Sequence, residues 1–184
     1  MVATINSCTK IHRGRVFELV SENITLENGV TTDMEFVHHP GAAAIVPLLD
    51  RNRVILIKQY RHSLREHIWE IPAGTRDPDE TMLTCAKREL IEETGYSAGK
   101  WVELTELTPV PGYSDERISL FLATNMKAAQ QNLDEDEMLN VHPVNFEEAL
   151  SMIQRGEIRD GKTISGLYLA HSRLQNENWK GNQG

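Results

Sequence analysis

The stretch from Gly74 to Tyr96, Gly-Thr-Arg-Asp-Pro-Asp-Glu-Thr-Met-Leu-Thr-Cys-Ala-Lys-Arg-Glu-Leu-Ile-Glu-Glu-Thr-Gly-Tyr, constrains this chain more than any other part of it. Glu80, Glu89, Glu92, Glu93 and Arg88 stand at fixed offsets between two glycines. At about 100° per residue, Glu89, Glu92 and Glu93 leave a helix within one sector. Leu83, Ala86 and Leu90 fall on a neighbouring sector and are expected to pack inward. Carboxylates crowded on one sheltered face repel each other, so a stable fold needs cations there. Hard oxygen donors of this kind suit Mg²⁺ or Mn²⁺, and those ions suit phosphate oxygens.

The spacing runs Gly, five residues, Glu, seven residues, Arg-Glu, an aliphatic, any residue, Glu-Glu, any residue, Gly and a bulky residue. Seven fixed identities at roughly 7% usage each give odds on the order of 10⁻⁸ per start position. A Glu-rich helix ending in glycine is otherwise a common solvated surface helix. The full pattern is that of the Nudix box, and the chain resembles a Nudix hydrolase.

Elsewhere the chain is that of an ordinary globular protein. Its 184 residues, 40% hydrophobic and 25% charged, are enough for one domain with a sizeable core. No apolar run reaches membrane-spanning length, and the amino terminus lacks a charged-then-apolar signal pattern, so the expected location is cytoplasmic. Two cysteines are too few for a disulfide framework, and Cys85 reads as a small buried residue. A net charge of −8 argues against a nucleic-acid polymer as ligand, though not against a small phosphorylated one.

Local patterns predict strands over 15–26 and 30–38 joined at Asn28-Gly29, and a second hairpin from 42–49 and 53–60. A short strand over 68–71 should end at Pro72. Asp77 is expected to cap the box helix, with Pro78 in its first turn, Glu80 at the capping-box position and Gly95 closing it. Further strands are expected at 101–110, 118–123 and 140–144. A helix from Phe146 to about Arg155 should follow Asn145 as its cap, and a last helix over 162–174 should bury Ile164, Leu167, Tyr168 and Leu174. The implied organisation is an amino-terminal hairpin (1–40), a catalytic domain (41–175) and a polar tail (176–184). The fold class is α+β, an α/β/α sandwich. The resemblance sharpens it to the Nudix fold, a mixed sheet packed between helices with an additional amino-terminal hairpin.

The resemblance also implies roles. Glu89 and Glu93 match metal-ligand positions of the family, with Glu92 as a further ligand or catalytic carboxylate, and the backbone carbonyl of Ala73 matches another ligand. Glu80 and Arg88 read as an orienting ion pair, and an ordinary surface salt bridge is the plainer role for Arg88. Pro111, sixteen residues after Gly95, with the following Gly-Tyr-Ser-Asp-Glu, is similar to the ADP-ribose pyrophosphatase branch. In that branch the arginine nine residues before the strand glutamate reaches a substrate phosphate; here these are Arg61 and Glu70, and His62 and Arg65 either assist or, the plainer role, are loop charges. The acidic run 133–137 matches the place of a catalytic glutamate, Glu137 first and Glu135 second. No tryptophan stands in the amino-terminal hairpin to stack a base, which leaves two alternatives: Phe17 or Phe36 substitutes, or the base is bound loosely.

The expected activity is Mg²⁺- or Mn²⁺-dependent hydrolysis of ADP-ribose or a related nucleoside diphosphate sugar. Rivals are another Nudix substrate, such as GDP-mannose, a dinucleoside polyphosphate or coenzyme A, and a non-catalytic nucleotide-sensing module. The family resemblance further implies a homodimer built through the amino-terminal hairpin.

Overall fold

A computed structural model describes residues 3–133 and 138–181. The chain divides into two units. The first comprises Met1–Gly41 and Thr108–Arg117, and the second comprises Ala42–Leu107 and Ile118–Gly184.

The first unit is a meander of three antiparallel strands, β1 (Ala3–Arg13), β2 (Glu18–Leu26) and β3 (Thr31–His38). The Asn28-Gly29 turn forms as expected, with Gly29 at φ 83°. β1 was not legible in the sequence, so the expected hairpin is one strand short. Nearly every β1 side chain is exposed, leaving no period-two apolar signal. Residues 15–17 lie outside the strands, and β2 begins at Glu18. Val20 is the buried apolar residue of this sheet, while Ile5, Ile11, Val30 and Met34 are exposed.

The second unit holds β4 (Ala42–Pro47), β5 (Arg53–Arg61), β6 (Glu66–Glu70), β7 (Ala73–Thr75), helix α1 (Met82–Thr94), β8 (Tyr96–Leu107), β9 (Ile118–Ala128), β10 (Leu139–Asn145), α2 (Phe146–Gln154) and α3 (Gly161–Gly181). One sheet has the order β7-β4-β9-β8, with β4 and β9 parallel and the other pairs antiparallel; a second has the order β10-β5-β6. β4 is buried on both faces, which lets packing override the helical preference of its three alanines. Its alternate residues define two cores. Ala43 and Ile45, with Phe121 and Ala123, meet Cys85, Ala86 and Leu90 of α1. Ala42, Ala44 and Val46, with Leu120 and Leu122, meet α2 and α3 through Leu150, Leu167 and Ala170. A mixed sheet between helices results. Gly166 permits the close approach of α3, since a Cβ there would stand 3.0 Å from Val46 Cγ2.

Several local expectations are corrected. β4 and β5 lie in different sheets and share only the bridge Leu48–Val54, because β4 pairs with β7 and β9 instead. Helix α1 starts at Met82 with Thr81 as its cap, not at Pro78 with Asp77. Asp79 has φ 65°, a left-handed conformation that no right-handed helix can run through. Leu83 and Tyr168 face outward; Cys85 and Thr163 fill inward positions in those helices. α3 continues to Gly181, through most of the expected tail. The Asn145 cap is as read, its Oδ1 accepting the Glu147 and Glu148 amides at 3.0 and 3.3 Å.

Candidate active site

The site of the second unit begins with the phase of α1. Burying Cys85, Ala86 and Leu90 carries the neighbouring sector to the helix edge, and Glu89 and Glu93 come with it. Glu93 is 1% exposed and Glu89 8%, while Glu92, further round, is half-buried. Buried carboxylates need partners. The Ala73 amide donates to Glu93 Oε2 at 2.9 Å, which ties the last turn of α1 to the first residue of β7. Glu89 lies against the next residue: a Cβ placed on Gly74 would stand 1.9 Å from Glu89 Cδ and Oε1. Only glycine leaves room for that carboxylate.

Arg88 braces the row. Its Nε and Nη2 donate to the two oxygens of Glu80 at 3.1 and 3.0 Å, and Nη2 also donates to the Thr75 carbonyl at 3.1 Å. Nη1 donates to Glu89 Oε1 at 2.7 Å and to Glu92 Oε2 at 2.9 Å. One planar fork therefore serves three carboxylates and a carbonyl, which is far from an ordinary surface pair. Glu80, chiefly through its hydrogen bond from Arg88, is held below the usual carboxylate range, and Arg88 is correspondingly raised. Glu80 also accepts the Asp77 amide at 3.2 Å, so it organises the turn before the helix rather than capping it. Burial, with the Glu89 and Glu80 charges next, pushes the Cys85 thiol up to about 12 and keeps it protonated and inert.

A second cluster stands on the β5–β6 pair. Arg61 donates through Nε and Nη2 to the two oxygens of Glu70, both at 2.7 Å. Glu70 is 1% exposed, and Lys162 of α3 donates to its Oε2 as well. Burial alone would raise the Glu70 carboxyl; the Arg61 hydrogen bonds and the charges of Lys162 and Arg61 outweigh it and hold the carboxyl low. Glu70, expected beside the substrate, has both oxygens engaged by protein cations. Lys162 was missed in the sequence. Its one local signal was Asp160, whose Oδ2 accepts the Thr163 amide at 3.0 Å and opens α3.

Arg65 is exposed in the turn after β5, at φ 57°. Phe17 and Pro111 belong to the first unit, both exposed. Glu135 and Glu137 lie outside the described residues.

The donors near α1 are hard oxygens: the carboxylates of Glu89, Glu92 and Glu93, with the Ala73 backbone beside them. Among the described residues no three His, Cys, Asp or Glu side chains converge as a closed cation cage. An open row of this kind fits a hard divalent ion that keeps water and reaches outward to substrate oxygens.

Comparison with known proteins agrees with this geometry. Residues 38–167 match the NUDIX domain, and the chain belongs to that family, whose enzymes generally use divalent metal ions. It is 39% identical over 160 residues to a Bacillus subtilis protein named ADP-ribose pyrophosphatase, covering 86% of each chain. It is 37% identical to a Bacillus methanolicus protein named methanol dehydrogenase activator, covering 84% of this chain and 85% of that one. Among solved structures, one titled as an ADP compounds hydrolase superposes with a TM-score of 0.84 at 24% identity, covering 96% of both chains, and shares the fold.

Proposed function

We propose that this protein hydrolyses the diphosphate bond of ADP-ribose or a related nucleoside diphosphate sugar, releasing a nucleoside monophosphate and a sugar phosphate. The observation that carries this reading is the row of Glu89, Glu92 and Glu93 set against the Ala73–Gly74 backbone and braced by Arg88. The relative named ADP-ribose pyrophosphatase supports the substrate class. The activator name of the Bacillus methanolicus relative raises a regulatory reading. A module that only senses nucleotide has no need of the box carboxylates, and here all of them are present.

Glu89, Glu93 and the Ala73 carbonyl, with Glu92, would hold Mg²⁺ or Mn²⁺. Such an ion, when bound, neutralises phosphate charge and lowers the pKa of a coordinated water. Arg61 binds a phosphate of the substrate, and its fork, fixed in plane by Glu70, opposes charge that spreads over the oxygens during displacement. Water attacks one phosphorus, the bridging P–O bond breaks, and the proton of the water passes to a carboxylate. Glu137 is our first assignment for that base, with Glu135 and Glu92 after it. Arg65, Pro111 and Phe17 complete the substrate contacts in this reading. The exposed apolar residues of the first unit support a homodimer, and the acidic net charge supports a small-molecule rather than a nucleic-acid partner. No helix of the described residues is long and apolar enough to cross a membrane, and we place the protein in the cytoplasm.

A panel of ADP-ribose, GDP-mannose, dinucleoside polyphosphate and coenzyme A, ranked by kcat/KM with Mg²⁺ and with Mn²⁺, tests the substrate. Glu93→Gln tests the site. It should lose both turnover and Mn²⁺ binding measured by calorimetry, and near wild-type turnover would remove Glu93 from the metal site.

A further inference from the structure

The cluster around Glu70 contains a cation that the reaction above does not use. Lys162 Nζ contacts Glu70 Oε2 and lies 3.1 Å from Asp160 Oδ2, and its side chain is only 13% exposed. Asp160 is fixed in turn by the Thr163 amide and hydroxyl. The Thr163 hydroxyl also accepts the Ile71 amide at 2.9 Å, directly after Glu70 in the chain. The first turn of α3 therefore grips both the side chain of Glu70 and the backbone that follows it. Arg61 is different: its side chain is 38% exposed, and Glu70 takes only the Nε–Nη2 edge of its fork.

We propose that Lys162 is a positioning residue for Arg61, acting through the carboxylate they share on Glu70. This rests on the reading of Arg61 as the phosphate-binding cation. The two bonds from Arg61 make guanidinium and carboxylate coplanar, but they fix that shared plane only as far as Glu70 itself is held. Lys162, anchored on Asp160, pins Oε2 in one place, and the plane of the carboxylate then sets the plane of the guanidinium. The Nη1 edge is presented in a single direction, so Arg61 meets a phosphate without first losing rotational freedom. Lys162 never touches the substrate. It supplies the order that a solvent-facing arginine otherwise lacks.

Two measurements test this. In ¹⁵N-edited NMR of the free protein, the Arg61 Nε–H signal should be sharp and slow to exchange in the wild type. It should broaden in Lys162→Met and return in Lys162→Arg; an unchanged signal in Lys162→Met overturns the proposal, whatever the substrate proves to be. With ADP-ribose, Lys162→Met should lower kcat/KM by about ten- to a hundred-fold, the usual range for partners one step removed from a working group. The loss should appear chiefly in KM, and the double variant with Arg61→Met should be no worse than Arg61→Met alone. Multiplying losses would overturn it. Lys162→Gln, which keeps a donor on a shorter, uncharged side chain, replaces Lys162→Met if that variant does not fold, with a loss expected in the same direction. Failure of the wild type to cleave any diphosphate in the panel would remove the functional reading, and the NMR comparison would still decide this one.

Discussion

Gly74→Ala separates the chemistry of this site from its stability. The added methyl would stand 1.9 Å from Glu89 Cδ and Oε1 and 2.3 Å from Oε2, so the two groups cannot coexist. The obstructing atoms are the far end of a flexible side chain rather than backbone. Glu89 therefore swings away, breaking the 2.7 Å bond from Arg88 Nη1, while the core beneath α1 stays in place. The cost is that of one charge-assisted hydrogen bond and modest repacking, about 1–2 kcal/mol. For a chain of this size that lowers the melting temperature by about 2–8 °C. Catalysis suffers far more, because the displaced group is a carboxylate of the cation row. We expect kcat/KM to fall at least about a hundred-fold, or about 2.7 kcal/mol of transition-state stabilisation. The assay is a melting curve beside steady-state kinetics on the best substrate of the panel. A second arm compares Glu89→Ala with the double variant, which should match it, since both changes act on one carboxylate. A folded Gly74→Ala protein with kcat/KM within about three-fold of wild type would refute the reasoning.

Arg88→Lys should cost about 2 kcal/mol of unfolding free energy in urea titrations, since an ammonium cannot span Glu80, Glu89, Glu92 and the Thr75 carbonyl as the planar fork does; a loss within 0 to about 0.5 kcal/mol would make Arg88 a mere surface pair. Glu70 predicts a pH dependence. Its carboxyl is held below the ordinary 4.5, so its contribution to stability is complete above that value and disappears as pH falls through the folded-state pKa. The stability gap between wild type and Glu70→Gln should therefore be widest near neutrality and shrink below pH 4.5; a gap independent of pH would sink the assignment.

What was legible in the chain was what repeats locally. The carboxylate row and the Gly95 stop follow from helix geometry alone, and Asn145 capping α2 follows from side-chain chemistry within three residues. The start of α1 was misjudged because Asp77, Pro78 and Glu80 satisfy the rules for a helix start. The left-handed Asp79 and the pull of Arg88 on Glu80 instead make them a separate turn. β1 escaped because a strand with both faces exposed carries no period. The pairing of Lys162 with Glu70 spans 92 residues, and no local pattern records it.

The same contrast explains why the site takes this form. Glu89 and Glu93 stand on the sector beside Leu90 and Ala86, within about 100° around the helix, so seating those apolar residues against Ala43, Ile45 and Phe121 draws the carboxylates partly out of water. Left alone, two buried like charges one turn apart would oppose the packing that put them there. The fold answers with groups that are available without a metal: the Ala73 amide for Glu93, and Arg88 for Glu89 and Glu92. Each of these partners is positioned by β7 or by the turn before α1, so the sheet edge, the turn and the helix must assemble together. A helix carrying the same residues away from that edge would keep the spacing and lose the burial. The box is thus a tertiary unit written in local spacing, which is why it reads so clearly in the sequence while the pairing of Lys162 with Glu70 does not.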